Sequence, residues 1–363
     1  MFKKIIKKPF FEKRVIQLQT LLDINTAFLT VNPADVYYLT GCTGSNNHLL
    51  ICSEVIYLFT DGRYLTQIGE QAQIPLSVEE ISVTVSFESA LKKILTQENI
   101  KYLKFSPDHM SYLMGKSMVS ALPKETQAIQ DLSLFNLRSI KDNIEIALIK
   151  QNLLITQAAF IYIQSILKAG LTELEVAAEL EFYCKKQGAE GMAFNTIIAS
   201  GERSALPHGI ASSKIINDGD LVQFDFGIIK DHYCSDFSRV LQVGNIDPKL
   251  AEIREIVEDT TRLVEENARC GMTGKEIDAI ARNYITQKGY GEYFGHGLGH
   301  SLGIEVHENP RLNTVWDKPI LENMVLTIEP GIYLPGLGGI RLEDVVVMRQ
   351  DKFEVLTECK YDF

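Results

Sequence analysis

Cysteine is sparse and unpaired in this 363-residue chain: Cys42, Cys52, Cys184, Cys234, Cys270 and Cys359 are scattered with no CxxC spacing among them. That argues against a zinc ribbon or a disulfide framework and for a reducing compartment. Tryptophan occurs once, as Trp316, outside every motif singled out below. No apolar run reaches the length expected of a membrane span. The basic opening, MFKKIIKKPFFEKR, has no apolar core of seven residues behind it, which excludes a secretory signal. A basic excess is also missing. The formal net charge is −11; residues 1–137 hold 13 basic and 13 acidic side chains, against 23 and 34 in the remainder. The acidic excess therefore lies wholly in the second part, which disfavours nucleic acid and anionic membranes as partners and suits a site that gathers carboxylates around cations. With 45% hydrophobic and 23% charged residues the composition is that of a folded globular protein. A soluble cytoplasmic protein is expected.

The length exceeds what one hydrophobic core usually serves, so two domains are expected. In the first, Val15–Leu22 reads as a helix, Ala27–Val31 as a strand broken by Asn32-Pro33, and Val36–Leu39, Leu49–Ile51 and Val55–Phe59 as further strands, with a helix at Phe87–Leu95. This alternation predicts an α/β domain over residues 1–133. The second domain, residues 134–363, begins with a helical period over Ile144–Lys168 that ends at Gly170. Capping boxes at Thr172–Glu175 and Thr273–Glu276 open helices stopping at Gly188 and Gly289, and another helix spans Pro248–Arg269. Thr196–Ala199, Leu221–Ile229, Ser238–Val243, Val325–Ile328 and Ile340–Val347 read as strands. Helix pairs followed by strands, once in each part of residues 140–363, predict two related α+β halves.

Three of the seven histidines, His296, His300 and His307, fall within FGHGLGHSLGIEVHE (294–308), threaded by Gly295, Gly297, Gly299 and Gly303. Each glycine disfavours a helix by roughly 0.5–1 kcal/mol relative to alanine, so a strand or loop is expected. Imidazoles on such a backbone can ligate a metal or donate hydrogen bonds to a reacting group. Four acids interrupt otherwise apolar strands: Asp225 in LVQFDFG, Asp236 in CSDFSR, Glu329 in VLTIEPGIY and Glu343 in GGIRLEDVVV. A buried carboxylate is costly unless it is paired, hydrogen-bonded or bound to a cation. The turn-like Lys230-Asp231-His232 allows Asp225 and Asp236 to face each other across a hairpin, and Pro335–Gly339 can fold the Glu329 and Glu343 strands together. Oxygen-rich ligation with one imidazole suits Mn²⁺, Co²⁺ or Zn²⁺, and four carboxylates are too many for one small ion, so two bridged ions are expected.

The order Asp, Asp, His, Glu, Glu resembles that of the pita-bread metallopeptidases, the family of methionine aminopeptidase, Xaa-Pro aminopeptidase and prolidase. Five blocks carry the resemblance: SALPHG, FDFG, SDFSR, GHGLGHSLGIEVHE with EPGIY, and GIRLED. YYLTG (37–41) and TDGRY (60–64) resemble the creatinase-like N-terminal domain of the proline-directed members. The resemblance implies an α+β pita-bread catalytic domain preceded by that α/β domain. It implies Asp225, Asp236, His300, Glu329 and Glu343 as ligands of two divalent metals, manganese first and cobalt or zinc as alternatives, with Asp236 and Glu343 bridging. It further implies that His307 meets the scissile carbonyl, that His208 and His296 shape the substrate pocket, and that Glu329 relays a proton. Tyr333 and Arg341 match positions that support the ligands and border the substrate. Arg311, four residues after His307, matches an arginine placed to pair with the carboxylate of a C-terminal proline. His48, His109 and His232 fall outside every block. The activity the resemblance implies is removal of an N-terminal residue from Xaa-Pro peptides by a homodimeric Xaa-Pro aminopeptidase, with Xaa-Pro dipeptidase as the alternative. More distant readings are a methionine aminopeptidase, a creatinase-like hydrolase, or a non-catalytic peptide-binding relative that has lost its ligands.

Overall fold

The computed structural model describes residues 8–107, 109–131 and 133–358; the first seven residues of the basic opening, and Cys359, lie outside them. The chain divides into two compact units, Met1–Arg138 and Ser139–Phe363. This division lies five residues beyond position 133. Within the first unit the Leu137 carbonyl accepts a hydrogen bond from the Tyr38 hydroxyl and Arg138 pairs with Asp35 at 2.8 Å, which ties the helix Ser133–Ser139 to it.

The first unit holds a six-stranded mixed sheet in the order Ser77–Glu80, Ile56–Thr60, His48–Ile51, Thr26–Thr30, Tyr102–Phe105, Gln127–Gln130. Its strands Thr26–Thr30 and Ile56–Thr60 are buried along their whole length, so they read as continuous apolar runs rather than alternating ones. One expected strand is a helix: Val36–Leu39 lies inside the helix Pro33–Thr40. The Asn32 side chain caps it by accepting from Ala34 N, Pro33 supplies a preset φ in the first turn, and Gly41 ends it at φ +76°. A short apolar run does not reveal its period, and Asn32-Pro33 starts a helix here rather than only breaking a strand.

In the second unit four helices pack on strands. Asn143–Ile166 and Glu173–Lys186 bury Phe160, Ile163, Val176 and Leu180 against Val222, Phe224, Phe226 and Phe237. Pro248–Asn267 and Gly274–Gln287 bury Ile253, Val257, Ile277 and Ala281 against Leu326, Ile328, Ile340 and Val346. Both capping boxes form, at Thr172 and Thr273. The first long helix differs from expectation in two respects. It stops at Ile166, capped by Leu167 in an extended conformation, so Gly170 lies beyond its end. It is also long and apolar enough to cross a membrane, contrary to the expectation that no stretch would be. Over half of its most apolar window is buried in this unit, and its inward positions include Glu145, Asn152, Thr156 and Gln157, as in a core helix.

Strands Ile197–Ser200, Leu221–Asp225 and Ser238–Gln242 form one antiparallel sheet; Glu308–Leu312, Gly299–Ser301, Val325–Ile328, Asp344–Met348 and Phe353–Val355 form another, in that order. The hairpin Gly331–Leu334 with Gly338–Arg341 turns at Pro335–Leu337, as the glycine-rich segment suggested. The expected long strands 221–229 and 340–347 are each interrupted, at Phe226-Gly227 and at Leu342-Glu343. Gly227 marks a close approach: a Cβ there would overlap the carbonyl oxygen of Ser235. Strand alternation then sorts the side chains of Leu221–Asp225. Val222 and Phe224 enter the core beneath the first helix pair, while Gln223 and Asp225 point to the opposite face, where Gln223 exchanges hydrogen bonds with the backbone of Arg341.

Candidate metal centre and active site

The four acids do not sit in strand interiors. Asp225 is the last residue of its strand, Asp236 precedes Ser238–Gln242, Glu329 follows Val325–Ile328, and Glu343 lies between two strands. Strand ends are where the ladder stops and a side chain can turn into a cavity flanked by both sheets. Ser238 stands opposite Asp225 in the antiparallel register, and Glu343 N donates to the Ser238 carbonyl, so one residue anchors both carboxylate-bearing turns. Oxygens of Asp225, Asp236 and Glu343 all lie within 4.8 Å of one another. His300, on the strand Gly299–Ser301, places Nε2 3.2 Å from Glu329 Oε1 and 3.6 Å from Asp236 Oδ2. Gly299 permits this, because a Cβ at that position would overlap the Thr327 carbonyl.

These groups are buried, and their electrostatics show a shortage of positive charge. Burial, then repulsion from Asp225 and Glu329, pushes the Asp236 carboxyl well up; burial, then Asp236, does the same to Glu343. Burial raises Asp225 as well, opposed by Arg341. Burial also disfavours the charge on Glu329, but the hydrogen bond and charge of His300 outweigh it and hold that group down at about 2. Among the described residues one guanidinium, that of Arg341, reaches the carboxylates: Nη2 donates to Asp225 Oδ2 at 2.5 Å, Nη1 to the Tyr333 hydroxyl at 2.8 Å, and Nε to Ser238 Oγ at 3.2 Å. Arg239, also buried, turns to the Glu343 carbonyl and to Asp344. Glu343 Oε1 is buried and has no hydrogen-bond partner among the described residues. His300 Nδ1 lies 3.2 Å from the Ser301 carbonyl; with a cation bound, donation there would leave the Nε2 lone pair to ligate it in place of the hydrogen bond to Glu329. Clustered carboxylates, an orphaned oxygen and an imidazole lone pair aimed at one space are the donor set of divalent cations.

All eleven residues singled out from the sequence line one cavity of about 760 Å³: Asp225, Asp236, His300, Glu329, Glu343, His208, His296, His307, Arg311, Tyr333 and Arg341. His296 sits between Gly297 O, 2.8 Å from Nδ1, and the Tyr333 hydroxyl, 2.9 Å from Nε2. The His307 ring packs edge-on to that of His300, with centroids 4.5 Å apart. Burial, with His300 and Arg311 next, lowers its pKa to about 4, so it is neutral at pH 7. Arg311 stands opposite His300 in the register of strand Glu308–Leu312, half-buried; among the described residues its guanidinium makes no hydrogen bond or ion pair. Burial pushes its pKa down, as expected of a cation with no close counter-ion. His48 packs on Phe87, and His232 occupies a turn at φ +62°.

Several contributors escaped the sequence reading. Phe194, Asn195, Ile197, Pro207, Ile210 and Asn313 form walls of the cavity, and such apolar or amide residues carry no chemical signature. Asp278 and Arg282 pair on the helix Gly274–Gln287 and hold the glycine-rich segment: Arg282 donates to the carbonyls of Phe294 and His296, and Asp278 Oδ1 accepts from Leu298 N. The buried Lys141 ammonium bridges Ser301 Oγ at 3.0 Å and Glu308 Oε2 at 2.9 Å, behind His300 and His307. The i,i+4 spacing of Asp278 and Arg282 was a usable signal; Lys141 gave none.

Comparison with known proteins agrees with this architecture. The model of metallopeptidase family M24 matches residues 147–350, and that of the creatinase/prolidase N-terminal domain matches residues 18–140. A Xaa-Pro dipeptidase of Pyrococcus horikoshii is 38% identical, with 96% of this chain and 97% of the relative covered. Among solved structures, a Xaa-Pro dipeptidase from Bacillus anthracis superposes with a TM-score of 0.91 at 36% identity, covering 97% of this chain and 99% of that one. An X-Pro aminopeptidase from Thermotoga maritima does so with a TM-score of 0.86 at 39% identity, covering 95% and 99%. With a buried carboxylate and histidine centre at strand ends of its pita-bread domain, and matches to both family models along its length, this chain belongs to metallopeptidase family M24.

Proposed function

We propose that the protein is a dinuclear-metal exopeptidase that cleaves Xaa-Pro bonds, with dipeptides as its preferred substrates. Asp225, Asp236, His300, Glu329 and Glu343 would hold two divalent ions, manganese first and cobalt or zinc as alternatives. Bound there, such ions supply Lewis-acid polarisation of a carbonyl and a water acidic enough to attack at neutral pH. The chain's own residues do the rest. His307, a neutral imidazole beside the cluster, donates a hydrogen bond to the carbonyl oxygen as negative charge develops on it. Glu329, an ionised carboxylate, takes a proton from the attacking water and returns it to the proline nitrogen as the C–N bond breaks. Arg341 and Tyr333 fix Asp225 and His296 in place, their hydrogen bonds being made to protein groups. His208 and His296 border the peptide.

The observation that carries the dipeptide preference is Arg311. An unpaired guanidinium lining the same cavity as the carboxylate cluster is matched to one more carboxylate, and a dipeptide ending in proline presents one there. The sequence alone puts the aminopeptidase reading first, because nothing besides Arg311 visibly closes the site beyond the proline; an Arg311 guanidinium that pairs with no described residue and lines the cavity supports the dipeptide reading. Arg311→Ala is expected to lower kcat/KM on Ala-Pro by about 10- to 100-fold, the worth of a charge-assisted hydrogen bond, with little change on Ala-Pro-Ala. Equal effects on both substrates would return the preference to the aminopeptidase reading, which the likeness to the Thermotoga maritima enzyme keeps in view.

A further inference from the structure

Glu173, the first residue of the helix Glu173–Lys186, lines no part of the cavity, yet its carboxylate is wholly buried. Oε1 accepts from Ser200 N at 2.8 Å and Ser200 Oγ at 2.9 Å; Oε2 accepts from Ser212 N at 3.1 Å, from Ser212 Oγ at 2.7 Å and from Arg203 Nη1. Ser200 and Ser212 are the two ends of one segment, and Arg203 lies within it. Arg203 Nη2 passes the connection on to the carbonyl of Ile210, at 3.0 Å. Between those anchors stand Pro207, His208 and Ile210, which form one wall of the cavity. The His208 ring is exposed and makes no hydrogen bond with a described residue, so its position follows from the backbone that carries it.

An ionised carboxylate in a buried position is tolerated only while its donors stay in place, and charge-assisted hydrogen bonds are the strongest available. Here one charge holds both ends and the middle of the segment at once. We propose that Glu173 is a positioning residue for peptide hydrolysis: by closing residues 200–212 around its carboxylate it sets where His208 stands against the bound peptide. This rests on the Xaa-Pro peptidase reading above and on His208 bordering the substrate.

Glu173→Gln keeps the size of the side chain and removes the charge. In the manganese-loaded full-length protein, kcat/KM on Ala-Pro is expected to fall by about 10- to 100-fold, the effect of misplacing a binding group by a fraction of its reach. Bound metal should stay as in wild type, because residues 200–212 hold none of the candidate ligands. Amide hydrogen exchange should accelerate across 200–212. Most of the kinetic loss should vanish when Glu173→Gln is introduced into a His208→Ala background, since the two act through one contact. If Glu173→Gln does not fold, Ser212→Ala, which removes one hydroxyl donor, should show a smaller loss with the same dependence on His208. Wild-type kinetics in the folded variant, or the same fold-loss with and without His208, overturns the proposal. Should the wild-type protein leave Ala-Pro uncut, the peptidase reading fails by itself, and unchanged exchange across 200–212 in Glu173→Gln then overturns the role of the carboxylate separately.

Discussion

Asp236→Asn and Glu343→Gln are each expected to abolish turnover and to lower the metal bound per chain. Both side chains lie in the group of three whose oxygens fall within 4.8 Å, and both are pushed well up by burial and by their acidic neighbours. Without a cation, each amide should relieve repulsion; with cations, each removes a charge that holds two ions within reach of one water. The two effects separate cleanly. The variants should fold at least as well as the metal-free wild type, as thermal unfolding in chelator would show, while losing more than the roughly 10²–10³ in rate that follows loss of a single electrostatic stabiliser. Activity near that of wild type, or two ions still bound tightly in both variants by elemental analysis, removes these residues from the metal centre.

His307→Ala should act differently, lowering kcat by about 10²–10³ with metal content unchanged. The distinction comes from geometry. His300 directs Nε2 at Glu329 and Asp236, whereas the His307 ring abuts the His300 ring on one side and lies among the lining residues of the cavity on the other. A neutral imidazole there is a hydrogen-bond donor for a carbonyl oxygen; partial burial, with the His300 and Arg311 charges next, pushes its pKa down to about 4 and leaves it neutral at pH 7. Metal loss in proportion to activity loss would instead make His307 a ligand and reverse the division of labour between the two histidines.

The chemistry was more legible in the sequence than the backbone that supports it. Asp225, Asp236, Glu329 and Glu343 stood out because an acid amid apolar residues needs a partner, and the cavity brings all four together with His300. Where their strands end was not legible: 221–229 and 340–347 read as unbroken apolar runs, whereas the interruption at Phe226-Gly227 goes with the close approach of the Ser235 carbonyl and that at Leu342-Glu343 with the hydrogen bond from Glu343 N to the Ser238 carbonyl. Pro33–Thr40 shows a second limit, since an eight-residue helix has too few turns to display its period and only the Asn32 cap distinguishes it from a strand. Lys141 and Glu173 show a third. Each is a charged residue in a helical or linking segment whose importance arises from partners far along the chain, Ser301 and Glu308 for one, Ser200 and Ser212 for the other.

Metal-dependent hydrolysis of Xaa-Pro dipeptides is tested most directly by kcat/KM of the wild-type protein on Ala-Pro, Ala-Pro-Ala and Met-Ala-Ser, measured after chelation and again after manganese is restored. The account predicts no turnover without metal, and with it a preference for Ala-Pro over Ala-Pro-Ala of about tenfold or more, the lower end of what a charge-assisted carboxylate contact contributes, with Met-Ala-Ser left intact. Hydrolysis that survives chelation, or a preference for Met-Ala-Ser, would contradict it.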